Sequence, residues 1–351
     1  MSRKTFSDYK KNIDNDIRTI IHYGVNVACY KFPFLQTILD YASRDITHIK
    51  REELAKPFVE KIIKHMKKNP FQGNSEIIRN GTMLKNVKNF IDGKINMERL
   101  LLVTEKEGFK DVVRALPIVG HTQIIELYKD EMKTNKQIIL TDNLLKFAKN
   151  KNLVNLLSLG TDTRWDLQQR SWETKNHPET LIEYNEQSGD LFEWRFNNRH
   201  NITSSKPTLI NYQGDVCFYC RKSVFLKNCE VEHFIPLDLD KKYFERKNQK
   251  LKYNLNNIGN LVNACEKCNG PNGKWHLYTP SKEYWYELHA RNEQICNSDK
   301  PLEKTIQSNL GMTSEERHQK LVELKELCNE FSMQDWKPKK TYGELHYYRI
   351  K

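Results

Sequence analysis

Two closely spaced pairs of cysteines constrain this chain more than any other feature of its sequence. Cys217 and Cys220 form one C-x2-C pair, Cys265 and Cys268 form a second, and 44 residues separate the pairs. A tight turn inside each pair lets both sulfurs face one ion, and four thiolates complete the tetrahedral coordination that zinc prefers. We therefore predict a structural zinc ion that joins two distant segments and contributes to folding. Buried free cysteines are the alternative.

The remaining cysteines and the apolar pattern indicate a reducing compartment. Four cysteines are scattered along the chain, which is typical of reduced and mostly buried thiols: Cys29, Cys229, Cys296 and Cys328. Cys229 lies between the two pairs and is an alternative zinc ligand. No run approaches the roughly eighteen apolar residues that span a bilayer, and the first residues lead into charged sequence without an apolar signal-peptide core. We expect a cytoplasmic protein that has no membrane partner.

An acidic residue and a histidine lie between the two cysteine pairs. Glu232 and His233 belong to a short β-prone run that Pro236 closes. A carboxylate oxygen can hold a hard divalent cation on a phosphate, and an imidazole that is neutral at pH 7 can take a proton from water. Taken alone, a Glu-His dipeptide is also a common surface feature. Its place between two metal-binding pairs favours the functional interpretation.

The order of motifs around this dipeptide resembles a known family. Asn260-Leu261-Val262 leads into the second cysteine pair, and Asn269 directly follows Cys268. The order is C-x2-C, acid-His-x-x-Pro, Asn-Leu-Val and C-x2-C-Asn with a nearby lysine. This segment, from about Cys217 to Lys274, resembles the HNH (ββα-metal) nuclease superfamily in its zinc-ribbon form. A fainter likeness, from Arg199 through Tyr219 and in the downstream run Leu288-His289-Ala290-Arg291-Asn292-Glu293, is to bacterial HNH proteins of restriction and anti-phage type.

The resemblance implies a role for each matching residue. His233 would be the general base, Glu232 and Asn269 would bind a catalytic magnesium or manganese ion, and Asn260 would orient the His233 loop through hydrogen bonds to backbone. Two departures from the family pattern affect the ligand set. The family usually has Asp at the position of Glu232. Its lysine usually follows the asparagine by about three residues, whereas Lys274 follows Asn269 by five. Asn272 is therefore an alternative metal ligand.

Basic residues indicate a nucleic-acid partner. The formal net charge is +12, which favours a polyanion, although a solvated basic surface is the alternative. An insertion at 240–253 contains six basic residues against two acidic ones, beside the proposed site in sequence. Lysines there would contact phosphates without reading sequence. We expect these residues to bind DNA: Lys241, Lys242, Arg246, Lys247, Lys250, Lys252 and Lys274.

The periodicity of apolar residues predicts an α+β protein. We expect a mainly helical N-terminal domain at 1–159, a connector rich in Trp and Arg at 160–205, a small zinc-stabilised ββα-metal HNH domain at 206–298, and a C-terminal helix with a basic aromatic tail at 299–351. The connector tryptophans, which include Trp165, Trp172 and Trp194, either stack on nucleic acid or pack between domains.

Particular elements follow from local signals. One helix is expected from Ile124 through Lys133, and another at 144–157 behind an N-cap at Thr141 or Asp142. A hairpin is expected after Ser205, and a helix is expected from Thr279 as cap and Pro280 as first residue.

Competing functions remain open at this point. A zinc module that binds nucleic acid without cutting it would keep the cysteines and the basic insertion but would not need His233. A toxin-like nuclease would cut DNA without specificity or would cut RNA. The helical N-terminal domain could also bind a protein partner, such as an ATPase or a sensor, that licenses cutting.

Overall fold

A computed structural model of the protein describes residues 13–173, 181–195, 198–270, 273–274, 278–298 and 300–343. Its contacts divide the chain into two compact units, Met1–Asn176 and His177–Lys351. Both units combine helices with small sheets, so the protein is α+β. Within the described residues, no helix is both long enough and apolar enough to cross a bilayer.

The first unit is mainly helical, with a core built by amphipathic helices. Apolar side chains at three- and four-residue spacing, such as Phe34, Ile38, Phe58 and Ile62, are fully buried. The helices are α1 (Ile13–Tyr23), α2 (Lys31–Ala42), α3 (Arg51–Lys68), α4 (Glu76–Arg79), α5 (Thr82–Ile91), α6 (Met97–Glu107), α7 (Val112–Ala115), α8 (Asp142–Ala148) and α9 (Lys151–Glu173). The strands are β1 (His48–Lys50), β2 (Ile118–Val119), β3 (Thr122–Gln123), β4 (Tyr128–Glu131) and β5 (Gln137–Leu140).

The prediction of a helix from Ile124 through Lys133 is wrong. This segment contains β4, which pairs with β5 in an antiparallel sheet of strand order β1-β5-β4, with Tyr128 opposite Leu140. In β5, buried Ile138 and Leu140 alternate with more accessible neighbours, which is the two-residue period of a half-buried strand. The exposed charged residues Lys129 and Asp130 belong to β4, and the exposed Lys133 lies in the turn that follows this strand.

A long helix replaces the first part of the predicted connector. The segment at 144–157 forms two helices, since α8 begins behind Thr141, whose side chain accepts a hydrogen bond from the Leu144 amide, and α9 then continues to Glu173. Trp165 and Trp172 are therefore buried in the core of the first unit. The indole of Trp165 donates to the side chain of Gln72 at 3.0 Å. The side chain of Trp194 lies outside the described residues.

The second unit begins with a three-stranded antiparallel sheet of order β6-β7-β8 and also contains the cysteine pairs. Its strands are β6 (Glu183–Asn185), β7 (Asp190–Arg195), β8 (Asn198–Ser204), β9 (Cys229–His233), β10 (Leu261–Cys265), β11 (Tyr278–Pro280) and β12 (Gln334–Trp336). Its helices are α10 (Ser205–Gln213), α11 (Asp238–Lys247), α12 (Glu266–Asn269), α13 (Lys282–Ser298), α14 (Lys300–Leu310) and α15 (Ser314–Glu330). The segment directly after Ser205 is thus a helix, and the hairpin-like pairing lies further along, between β9 and β10.

A buried arginine supports the turn that leads into β10. The antiparallel pair of β9 and β10 places His233 opposite Leu261. A 3-10 turn at Ile258–Asn260 precedes β10. The Arg291 side chain on α13 is fully buried and donates to the Leu261 carbonyl at 2.8 Å and to the Ile258 and Gly259 carbonyls at 3.3 Å. These hydrogen bonds connect the turn and the start of β10 to α13.

The C-terminal segment belongs to the same unit. The helix predicted behind Thr279 begins at Lys282, because Tyr278–Pro280 is a strand that pairs in parallel with β12. The ring of Trp336 packs edge-on against Tyr219, with centroids 5.2 Å apart. Trp336, which we assigned to a tail, therefore packs beside the first cysteine pair.

Candidate functional site

The four cysteines of the two pairs converge on one point. All four sulfurs lie within 4.8 Å of one another, and all four residues are buried. In the first pair, the Cys217 amide donates to the Lys222 carbonyl at 2.8 Å, and Arg221 takes a positive φ of 65° that closes the turn. In the second pair, Cys265 ends β10 and Cys268 lies on α12. The cluster can hold a metal ion, and Cys229 is not among its members.

The chemistry of the crowded sulfurs favours a bound cation. A hydrogen bond from the Cys217 thiol lowers the pKa of Cys220 and of Cys265, whereas the same contact with Cys220 raises the pKa of Cys217. Thiols this close share protons, because adjacent negative sulfurs repel each other unless a cation lies between them. Four soft, buried thiol donors fit tetrahedral zinc.

A cavity of about 240 Å³ lies at the other end of the same strand pair. The structure brings together four predicted residues there, Glu232, His233, Asn269 and Lys274. Among the described residues, the rest of the wall comes from the segment after β9 and consists of Pro236, Leu237 and Asp238. Glu232 and His233 reach the cavity because they end β9, and Asn269 because it ends α12, directly after the last cysteine.

Glu232 and the buried Lys274 form an ion pair. The Lys274 ammonium lies 2.5 Å from one carboxylate oxygen of Glu232, and its side chain is only 1% exposed. Burial raises the pKa of Glu232 and lowers the pKa of Lys274, while the attraction between the two opposes both shifts. Since its ammonium is enclosed, Lys274 is not positioned as a surface contact to DNA, which differs from our expectation. It neutralises Glu232 instead.

The imidazole of His233 is held in one orientation by a neighbouring amide. The side-chain oxygen of Asn256 lies 2.8 Å from Nε2. This oxygen can only accept, so Nε2 carries the proton and Nδ1 keeps a lone pair. Nδ1 lies 3.6 Å from a carboxylate oxygen of Glu186. Burial lowers the pKa of His233, although Asn256 and Glu186 act to raise it, and the ring is therefore neutral at pH 7.

Asn260 ties together the backbone on both sides of the cavity. Its fully buried amide group donates to the carbonyls of Ile235 at 3.0 Å and Leu255 at 2.9 Å, and its oxygen accepts from the Ile235 amide at 2.8 Å. The Asn260 carbonyl also accepts from the Phe234 amide at 2.7 Å. Both residues that follow His233 are thus fixed by Asn260.

The predicted DNA contacts lie mostly on α11. This helix starts at the cavity wall with Asp238, and it carries Lys241, Lys242, Arg246 and Lys247. All of these are exposed except Lys242, which is half-buried. Two of these residues also form ion pairs within the unit, since Arg246 and Lys247 lie 3.8 Å and 3.3 Å from the Glu330 carboxylate. Two further exposed lysines follow the helix, namely Lys250 and Lys252.

Three residues of the site were not singled out by sequence reasoning. Asn256 lies in an asparagine-rich run that drew attention only for Asn260, and no sequence signal shows that its side chain reaches His233. Glu186 lies far upstream, in the turn after β6, where the Tyr184 amide bonds to the Asn256 carbonyl at 3.0 Å. Asp238 could have been found, since it follows Pro236 closely. Asn272, the alternative metal ligand, lies outside the described residues.

Comparisons with protein-family models, with curated protein sequences and with solved structures found no match to this chain.

Proposed function

We propose that this protein is a metal-dependent nuclease of HNH type, which hydrolyses phosphodiester bonds in DNA. One observation carries the proposal: a histidine with a lowered pKa, whose side chain is only 12% exposed, shares a cavity with a carboxylate and an amide oxygen donor, next to a closed four-cysteine cluster. General-base chemistry on a phosphodiester needs a neutral imidazole, a cation for the developing charge, and a rigid frame. The site supports each of these.

The cysteine cluster supplies the frame. With four thiolates there is no open coordination position, so the zinc that we assign to Cys217, Cys220, Cys265 and Cys268 is structural. It links the segment before β9 to the end of β10. Its binding free energy contributes to folding of the second unit.

Glu232 and Asn269 are the residues that would hold a catalytic magnesium or manganese ion. Hard carboxylate and amide oxygens suit these ions, and the cavity has room for water ligands. Lys274 contacts one oxygen of Glu232, which leaves the other for a cation. When bound, the ion supplies positive charge for the leaving oxygen. A buried carboxylate with a raised pKa gains from a second positive neighbour.

His233 takes the proton from the attacking water. Because Asn256 accepts from Nε2, the lone pair on Nδ1 is the basic position. The lowered pKa keeps this nitrogen unprotonated at neutral pH. Asn260 fixes the backbone that follows His233 and so limits the freedom of the ring. The exposed basic residues of α11 then contact phosphates near the cavity edge.

Nicking of supercoiled plasmid DNA in magnesium or manganese tests this function. The intact protein should cleave, and His233→Ala should lose at least about 100-fold in rate, the usual contribution of a general base. The matched control is His200→Ala, since His200 is exposed on β8 in the same unit. Zinc content and circular dichroism should be unchanged in both variants.

Two results would overturn the proposal. One is unchanged cleavage in His233→Ala, and the other is an intact protein that binds DNA but does not cut it in any divalent ion. The second result favours a non-catalytic zinc module. If cleavage appears only after a protein partner is added, the nuclease is a dependent subunit. Discrete fragments indicate sequence recognition, and a smear indicates its absence.

A further inference from the structure

The positive charge of this protein is divided unequally between its two units. Met1–Asn176 contains 31 Lys and Arg against 21 Asp and Glu, a net charge of +10. His177–Lys351 contains 26 against 24, a net charge of +2. The candidate active site thus belongs to the unit that is almost neutral. A polyanion is attracted mainly by the first unit, whose role the sequence left open.

Many basic residues of the first unit are neutralised where they stand. Lys61 lies 2.7 Å from Asp40, and Lys68 lies 2.7 Å from Asp166. The same arrangement recurs for further lysines, in the pairs Lys64 with Asp162, Lys94 with Asp92, Lys110 with Glu107 and Lys129 with Glu131. A lysine in an ion pair must give up that partner before it contacts a phosphate. The unpaired lysines are therefore the better candidates for a binding surface.

Helix α5 presents such lysines on one face. Its inner face buries Met83, Leu84 and Val87, and the helix contains no carboxylate from end to end. Lys85 and Lys88 are exposed on the opposite face, and no ion pair to either occurs among the described residues. Residues three apart on a helix are neighbours, so the two ammonium groups lie on one patch. The outer face of α5 is defined by Thr82, Lys85, Asn86, Lys88 and Asn89.

We propose that the outer face of α5 binds the phosphate backbone of duplex DNA. The choice of DNA rests on the proposed nuclease function, and the surface itself rests on the charge of the unit and on the side chains of the helix. Ammonium, amide and hydroxyl groups all donate to phosphate oxygens, and no carboxylate within Thr82–Ile91 repels them. The C-cap Asp92, which follows the helix, is paired with Lys94 at 3.1 Å. Lysine contacts to phosphates would hold DNA without reading its sequence.

Binding of a 30-base-pair duplex by the full-length protein tests the surface. Fluorescence anisotropy is measured over a range of salt concentrations, without added divalent ion so that no cleavage occurs. We expect the double substitution Lys85→Glu with Lys88→Glu to weaken binding about 10-fold or more. The slope of log affinity against log salt concentration should become less steep by about 2, because two phosphate contacts are lost.

The matched control changes the same charge elsewhere in the same unit. Lys133 and Lys136 are exposed in the turn between β4 and β5, and the described residues include no ion partner for either. Lys133→Glu with Lys136→Glu should leave the salt slope unchanged and weaken binding less than about 3-fold. Equal losses of affinity in both double variants would mean that the overall positive charge of the unit attracts DNA, and this would overturn the proposal. Unchanged binding in the α5 variant would also overturn it.

Two further measurements separate this proposal from the nuclease proposal. Lys85→Gln with Lys88→Gln should also weaken binding, which excludes a local misfold caused by reversed charge. His233→Ala should bind the duplex as tightly as the intact protein. If binding depends on α5 but no divalent ion supports cleavage, the nuclease proposal is contradicted and the proposal of a DNA-binding surface on α5 is supported. If cleavage occurs and binding ignores α5, the surface fails alone.

Discussion

The two ends of the strand pair β9–β10 form sites of opposite character. At one end, Cys265 belongs to a cluster of four identical, buried donors within 4.8 Å of one another. At the other end, Glu232 and His233 face an open cavity lined by unlike groups. A closed set of equal ligands is suited to hold a metal and stabilise a fold. An open cavity lined by chemically different side chains leaves room for a substrate. Each of these side chains must be held in place by residues outside the cavity lining.

The largest expected effect is at the closed end. Cys217→Ser with Cys265→Ser should unfold the second unit, because structural zinc contributes up to about 10–16 kcal/mol in small zinc modules. Zinc content by mass spectrometry and thermal unfolding by circular dichroism measure the outcome. Zinc removal by a strong chelator should have the same effect on the intact protein.

The control for this variant is Cys296→Ser, a buried cysteine outside the cluster. It should keep the zinc and lose about 1–2 kcal/mol of stability, the cost of one partly unsatisfied hydroxyl. A double cysteine variant with no zinc and an unchanged melting temperature would contradict the structural role.

The second effect tests the frame of the open end. Asn260→Ala removes three side-chain hydrogen bonds and leaves the buried backbone of Ile235 and Leu255 without these partners. We expect a loss of about 2–4 kcal/mol in the free energy of unfolding, together with loss of cleavage. The exposed Asn152→Ala serves as control. Full activity in a destabilised Asn260→Ala would show that Asn260 supports the fold but not the His233 loop.

The two ends also differ in how far the sequence predicts them. Spacing alone identified the four cysteines, because the two ligands of each pair are held by one short turn. Glu232, His233 and Asn269 followed from the order of motifs, which fixes identity but not surroundings. The burial of Lys274, and the contacts of Asn256 and Glu186 with His233, depend on the approach of distant segments. No local pattern records that approach.

The same limit explains the errors in the first unit. The helical character of the first unit was predicted because amphipathic helices such as α2 and α3 repeat apolar residues every three to four positions. The charged residues of β4 were assigned to a helix, since a strand of four residues carries too short a pattern to be distinguished. In α9, buried polar residues such as Thr161 were taken for a connector, but its hydroxyl bonds to the Leu157 carbonyl at 2.7 Å.

The third effect concerns the support of His233. Asn256→Leu removes the acceptor at Nε2, so the ring loses its fixed orientation and the cleavage rate should fall about 10-fold. The hydrogen bond to Asn256 raises the pKa of His233, so its loss should also move the acidic limb of the pH–rate profile to lower pH. Asn256→Asp should keep the orientation and move that limb to higher pH. A merely structural role would leave the limb unmoved in both variants.

The smallest effect is expected for Glu186→Gln. The Glu186 carboxylate lies 3.6 Å from Nδ1 and raises the pKa of His233, but its side chain is 56% exposed, so water screens the interaction. Its neutralisation should therefore move the acidic limb down by only a few tenths of a pH unit, and added salt should shrink the difference. The rate at pH 8, where His233 is already neutral, should not change. A many-fold loss at pH 8, with a higher requirement for magnesium, would instead make Glu186 a ligand of the catalytic ion. In that case the open end would draw its metal donors from β6 as well as from the strand pair, and Glu232 with Asn269 would no longer be the whole donor set.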